Sequence, residues 1–264
     1  MRRLMLLGAI AAMTAGCGHS TRVTHPPSGS STSGTTTATT PATTSLGTSQ
    51  PELLVRVYFL RDGKVAPVAR TVTGPAVATA ALRELADGPT STERAQGLTS
   101  EIHDAPSTVT IANGVATVDL PDISHTALAQ VVYTLTQFPT VDGVRTPRML
   151  GDATPLTRAD FEDVTPAILV ESPLPGETVT SPLRVSGTAN TFEATFDLAV
   201  VNSSGARIAW RFVTASSGSG TRGTYDTTIS FPHTGAAITL VAYEPSAANG
   251  KPLHTVRIPL REAG

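Results

Sequence analysis

Asp119, Asp122 and His125 form a D-x2-D-x2-H run, the chain's nearest approach to a metal-binding spacing. Two carboxylates and an imidazole are suitable donors for zinc or a harder divalent cation. Local context argues against a shared site: Asp119 closes a strand-like run, Asp122 sits in a turn, and His125 opens a helix. His103-Asp104 is a second His–carboxylate pair, in a Pro-bounded loop. The carboxylates Asp160, Glu162 and Asp163 read as the solvated face of a connector. A hydrolase needs a nucleophile with a base, paired carboxylates, or a metal. Gly218-Ser219-Gly220 lacks the spacing of a nucleophile elbow, no HExxH occurs, and no phosphate-cradling loop is present. The expectation is therefore no catalytic residue, no cofactor and no metal, and a chain that is not an enzyme.

The single tryptophan, Trp210, belongs to an alternating run in which Ile208, Trp210 and Phe212 share one face and Arg207, Ala209 and Arg211 the other. A stacking platform for a ligand is one reading of it. Its apolar neighbours on that face favour the other, a core plug.

The 264 residues carry 19 basic and 21 acidic side chains, a formal net charge of -2. That balance lacks the electrostatic footprint of a nucleic-acid binder. With one cysteine, neither an intrachain disulfide nor a Cys-based zinc cluster can form. Arg outnumbers Lys 17 to 2, the codon signature of a high-G+C, actinobacteria-like genome.

That cysteine, Cys17, follows Arg2-Arg3, an apolar run from Leu4 to Met13, and Thr14-Ala15-Gly16. The pattern is that of a secretory signal whose apolar run is too short to span a bilayer. It resembles the bacterial lipoprotein lipobox, with Thr14 where that motif usually has Leu. The resemblance implies a signal peptide over 1–16 and lipidation (diacylglyceryl and fatty acyl chains such as palmitate) of Cys17. Several acyl chains on one residue make membrane attachment stable. Residues 17–51 follow as a tether. Of the 33 residues from Gly18 to Gln50, 18 are Ser or Thr, a composition expected to stay disordered.

Ordered elements begin near Pro51. Leu53 to Leu60 and Val65 to Val72 form a predicted hairpin, with Pro67 placing the second strand at an edge. Ala76 to Ala86 has helical spacing, and Thr90 with Glu93 fits a capping box. Asn113-Gly114 between alternating runs signals a second hairpin. Ser124 caps a helix through Leu135, and Val144 to Leu150 gives a last strand. Together these predict a small α+β domain over 52–151, with helices on one face of a mixed sheet. A polar connector, 152–163, leads to a second domain over 164–262. Its seven short strands are Ala167–Glu171, Leu183–Thr188, Thr195–Val201, Arg207–Ala215, Thr224–Ser230, Ile238–Glu244 and His254–Leu260. That pattern fits an all-β immunoglobulin-like sandwich.

The segments VRVYFL, ALRELADGP, NGVATVDL and ALAQVVYTLTQFPTVDGV, from about Leu53 to Leu150, resemble the GerMN domain of bacterial spore-germination and sporulation proteins. From about Val164 to Arg261, SPLPGETVTSPLRVSGTAN, TYDTTISFP and LVAYEPSAANGKPLHTVRIPL resemble the immunoglobulin-like domain of spore-germination proteins. The tandem implies a non-catalytic envelope lipoprotein on the extracytoplasmic face of the cell membrane. Its modules would meet a protein or peptidoglycan partner in germination, sporulation or general envelope maintenance. A ligand or glycan carrier and a peptidoglycan-acting enzyme are the alternatives.

Overall fold

The computed structural model describes residues 51–263, apart from 107, 152 and 153. The signal-like run, Cys17 and the Ser/Thr-rich stretch lie outside the described residues.

The first hairpin pairs β1 (Glu52–Arg61) with β2 (Lys64–Thr73). Its turn, Asp62-Gly63, has both φ angles positive, 51° and 71°, which suits the twist of the flanking strands. Helix α1 (Val77–Asp87) buries Ala81, Leu82 and Leu85. Helix α2 (Ser91–Ala95) opens on the expected Thr90–Glu93 capping box, and β3 (Leu98–Thr99) completes a sheet of order β2-β1-β3. β4 (Val109–Ala112) and β5 (Val115–Val118) pair across Asn113-Gly114. β6 (Gly143–Arg145) then joins β5 in parallel.

Between β5 and β6 runs α3 (His125–Leu135), capped by Ser124 Oγ, which accepts from the Ala127 amide at 2.9 Å. Every residue from Ala127 to Leu135 is buried, the pattern of a helix packed on all sides. Its internal polar groups bond back to β1. Thr134 Oγ1 accepts from the Tyr58 amide at 3.2 Å, and Gln130 Nε2 donates to the Tyr58 carbonyl at 3.1 Å. The helix packs chiefly against β1, α1 and the turn over Arg158–Val164. The strands form two three-stranded sheets, β2-β1-β3 and β4-β5-β6, and not the single mixed sheet expected. The last strand is also shorter than expected. Pro147 has no ladder donor and a φ suited to a first helical position, so β6 ends at Arg145 and α4 (Pro147–Leu150) begins.

The connector is less solvated than its composition suggests. Leu156 bridges Val144, and a 3-10 turn over Arg158–Val164 buries Phe161 in the first domain's core.

The second domain contains all seven expected strands: β7 (Ile168–Ser172), β9 (Leu183–Ala189), β10 (Thr195–Asn202), β11 (Arg207–Thr214), β12 (Gly223–Ile229), β13 (Ala237–Pro245) and β14 (Pro252–Glu262). A two-residue strand, β8 (Thr178–Val179), adds itself in parallel to the end of β14. The sandwich packs sheet β12-β9-β7 against β11-β10-β13-β14-β8, around a core including Val185, Phe196, Leu198 and Leu240.

Trp210 is not a core plug. It is 52% exposed and Phe212 is 54% exposed. Register explains why. The core residues Phe196, Leu198 and Val200 of β10 face Val213, Arg211 and Ala209, whereas Trp210 and Phe212 oppose Ala199 and Asp197 on the outer face. Alternation identifies two faces of a strand but not which one is inward. On edge strand β11, Arg211 shares the inward parity yet reaches solvent.

Candidate functional site

β7 belongs to both domains. Ile168 and Val170 point into the sandwich core, while Leu169 between them packs in the core of the first domain. Period-two alternation thus makes one strand a shared wall. The next residue, Glu171, anchors a polar clamp across the same junction.

Three elements of the first half converge on Glu171. β1 supplies Tyr58, α3 supplies Tyr133, and the 3-10 turn supplies Arg158. Tyr58 Oη donates to Glu171 Oε1, and Arg158 Nη1 donates to the same oxygen at 2.8 Å. The Arg158 guanidinium lies over both rings, 4.7 Å from the Tyr133 centroid and 5.4 Å from that of Tyr58, a cation–π arrangement. Its Nε donates to Thr136 Oγ1 at 2.8 Å. Thr165 Oγ1 donates to the Phe161 carbonyl at 2.7 Å, leaving Tyr133 Oη to donate to Thr165 at 2.6 Å.

Burial raises the Tyr58 hydroxyl well above its ordinary value, with Arg158 opposing, so it stays protonated as a donor. Burial also pushes the Glu171 carboxyl upward. The Arg158 charge and the hydrogen bonds from Tyr58 and Arg158 outweigh that push and hold it below the usual range. Every member of the clamp has its partner, which makes it an adhesive and leaves no idle nucleophile.

A second knot ties the connector to the sandwich. Arg222 donates to Glu162 through Nε at 2.7 Å and Nη2 at 2.9 Å, and to the Pro166 carbonyl at 2.9 Å. Asn190 Nδ2 also reaches Glu162, at 2.8 Å. Glu162 is therefore an ion-pairing junction residue and not part of a merely solvated face. Asp160 caps the 3-10 turn, accepting from the Thr157 amide at 2.7 Å.

The Asp119–Asp122–His125 run does not converge. His125 Nε2 meets Asp163 Oδ1 at 3.0 Å, with its ring 4.8 Å from that of Phe161, while Asp119 and Asp122 are solvent-facing. His103 and Asp104 are exposed as well. Among the described residues no group of three or more His, Cys, Asp or Glu is placed to hold a metal.

Beside the clamp lies a cleft of about 990 Å3. Leu98, Val65, Pro67 and Ile168 give it an apolar interior, and Arg61, Lys64 and Arg257 stand at its rim. Sequence reading missed this site. Its walls come from elements of both domains that are far apart in sequence. Among the described residues no helix is long and apolar enough to cross a membrane.

Residues 56–145 match the family of sporulation and spore germination, and residues 167–251 match the immunoglobulin-like domain of bacterial spore germination. Neither curated proteins nor solved structures give a match. Both resemblances read from the sequence stand. The chain carries, in tandem, a sporulation and spore germination domain and an immunoglobulin-like domain of bacterial spore germination.

Proposed function

We propose that this is a non-catalytic, membrane-anchored envelope lipoprotein of germination or sporulation type, whose two modules act as one binding unit for an envelope protein or cell-wall partner. The observation that supports this most is the junction. Its ionisable groups are spent on fastening the modules together, and the space left beside them is an open cleft suited to holding a partner. Attachment through lipid on Cys17, facing outward from the cell membrane, rests on the lipobox-like run. Labelling cells with an alkyne palmitate analogue tests the anchor. The native chain takes up label, and Cys17→Ala does not and leaves the membrane fraction; equal labelling of both overturns it. In-cell crosslinking of the full-length protein, read by mass spectrometry, tests the binding role. Recovery of an envelope protein or wall fragment is expected, and recovery of neither contradicts it.

Exposed Trp210 and Phe212 favour a second reading, a glycan-binding carrier, since adjacent outward aromatic rings suit stacking on a sugar face. Retention on purified cell-wall sacculi that is lost in Trp210→Ala would support it.

A further inference from the structure

The geometry points to the interdomain cleft as a receptor for an extended acidic peptide, which adds as a strand to the free edge of β14. This rests on the reading of the two modules as a binding unit and names the partner's chemistry.

Lining by consecutive residues carries the argument. A strand that shows a face to a cavity contributes alternate residues, whereas one that shows its edge contributes a continuous run. β14 contributes every residue from His254 to Pro259, and β2 every residue from Lys64 to Val68. Both present edges.

The β14 edge has unused bonding capacity. The segment around β8 bonds its far end, where the Pro259 carbonyl accepts from Gly176, and Arg261 donates to Glu177, both through backbone atoms. Ladder alternation then turns the backbone groups of Arg257 the same way, up to the irregularity at His254 and Thr255, where the register with β13 shifts and His254 has a φ of 50°. β8 pairs only with Arg261 and Glu262 at the strand end, so among the described residues the stretch facing the cleft has no partner strand. The opposite wall cannot serve in its place. Pro67 opposes Tyr58, next to the Phe59–Ala66 pair, and brings no N–H to the edge. Strand addition is a recurrent mode of peptide capture, with backbone bonds supplying affinity and side chains selectivity.

Charge selects the class of peptide. Arg61 and Arg257 line the cleft, and among the described residues neither has a carboxylate within ion-pair distance and Arg61 Nε is buried with no hydrogen-bond partner. Lys64 is held on the Asp163 carbonyl, and its charge already acts on the Glu162 and Asp163 carboxylates. Of the two lining acids, Glu162 is already paired with Arg222, so Asp62 is the one lining acid left beside Arg61 and Arg257. An apolar interior beneath such a rim fits alternating acidic and apolar side chains.

The test uses a fluorescein-labelled decapeptide of alternating glutamate and valine, titrated into the protein and read by anisotropy. Saturable binding is expected, weakened at least about tenfold by the Arg61→Glu/Arg257→Glu double substitution. It is also expected to be absent for the lysine–valine analogue, and lost when alternate peptide nitrogens are N-methylated. The N-methyl arm leaves the protein untouched, so it does not depend on any variant folding. No binding, equal binding of the lysine analogue, or indifference to N-methylation overturns the assignment. In-cell crosslinks that survive the double substitution place the partner outside this cleft while leaving the binding role intact; their loss supports the cleft.

Discussion

The clamp and the cleft occupy the same junction and use similar residues to opposite ends. In the clamp, Arg158, Glu171, Tyr58 and Tyr133 face one another, half-buried or buried, and satisfy each other's charges and hydrogen bonds. In the cleft, Arg61 and Arg257 are lining residues, and among the described residues neither has a carboxylate within ion-pair distance. Charges that find partners within the chain fasten it. Those left aimed into a cavity are available to another molecule.

The largest effect is expected at Leu169, the one residue of β7 lodged in the first core. Leu169→Ala is expected to cost about 3 kcal/mol and to expose the connector near 152–166 to protease. An unchanged cleavage pattern would show that β7 is not a shared wall.

Next in size is Glu171→Gln, which leaves Arg158 without its anion. Removal of one partner from a partly buried pair is expected to cost about 2 kcal/mol, or roughly 4–8 °C in melting temperature for a chain of this size. Its pH dependence has a fixed sign. The folded chain holds the Glu171 and Glu162 carboxyls below the ordinary glutamate value, although burial alone would raise them. Their stabilisation is therefore complete above about pH 4.3 and is lost as pH falls through the lowered folded values. Melting curves of the native chain should drop in that acid range, and those of Glu171→Gln should drop less.

The smallest effect is expected on the outer face. Trp210→Ala should change stability by less than about 0.5 kcal/mol, against about 3–5 kcal/mol for a buried tryptophan. Denaturant unfolding distinguishes the two.

Much of each domain was legible in the sequence because its signals are local. Ser124, the Thr90–Glu93 box and Asn113-Gly114 act within a few residues, and each performs the expected role. The seven sandwich strands were readable for the same reason. Properties that depend on long-range packing were not. Trp210 shows the limit for faces, since its strand alternates but the inward side is set by the register with β10. Glu162 shows it for charges, since its partner Arg222 lies 60 residues away. The clamp is the extreme case: Tyr58 and Glu171 are 113 positions apart, and no spacing rule joins them.

Scanning calorimetry of the two-domain chain distinguishes one cooperative body from two. If β7 and the Arg158–Glu171 clamp make one body of the two modules, heating gives a single transition whose calorimetric and van't Hoff enthalpies agree, and Glu171→Gln lowers or splits it. Two resolved transitions in the native chain, unmoved by Glu171→Gln, would contradict the account.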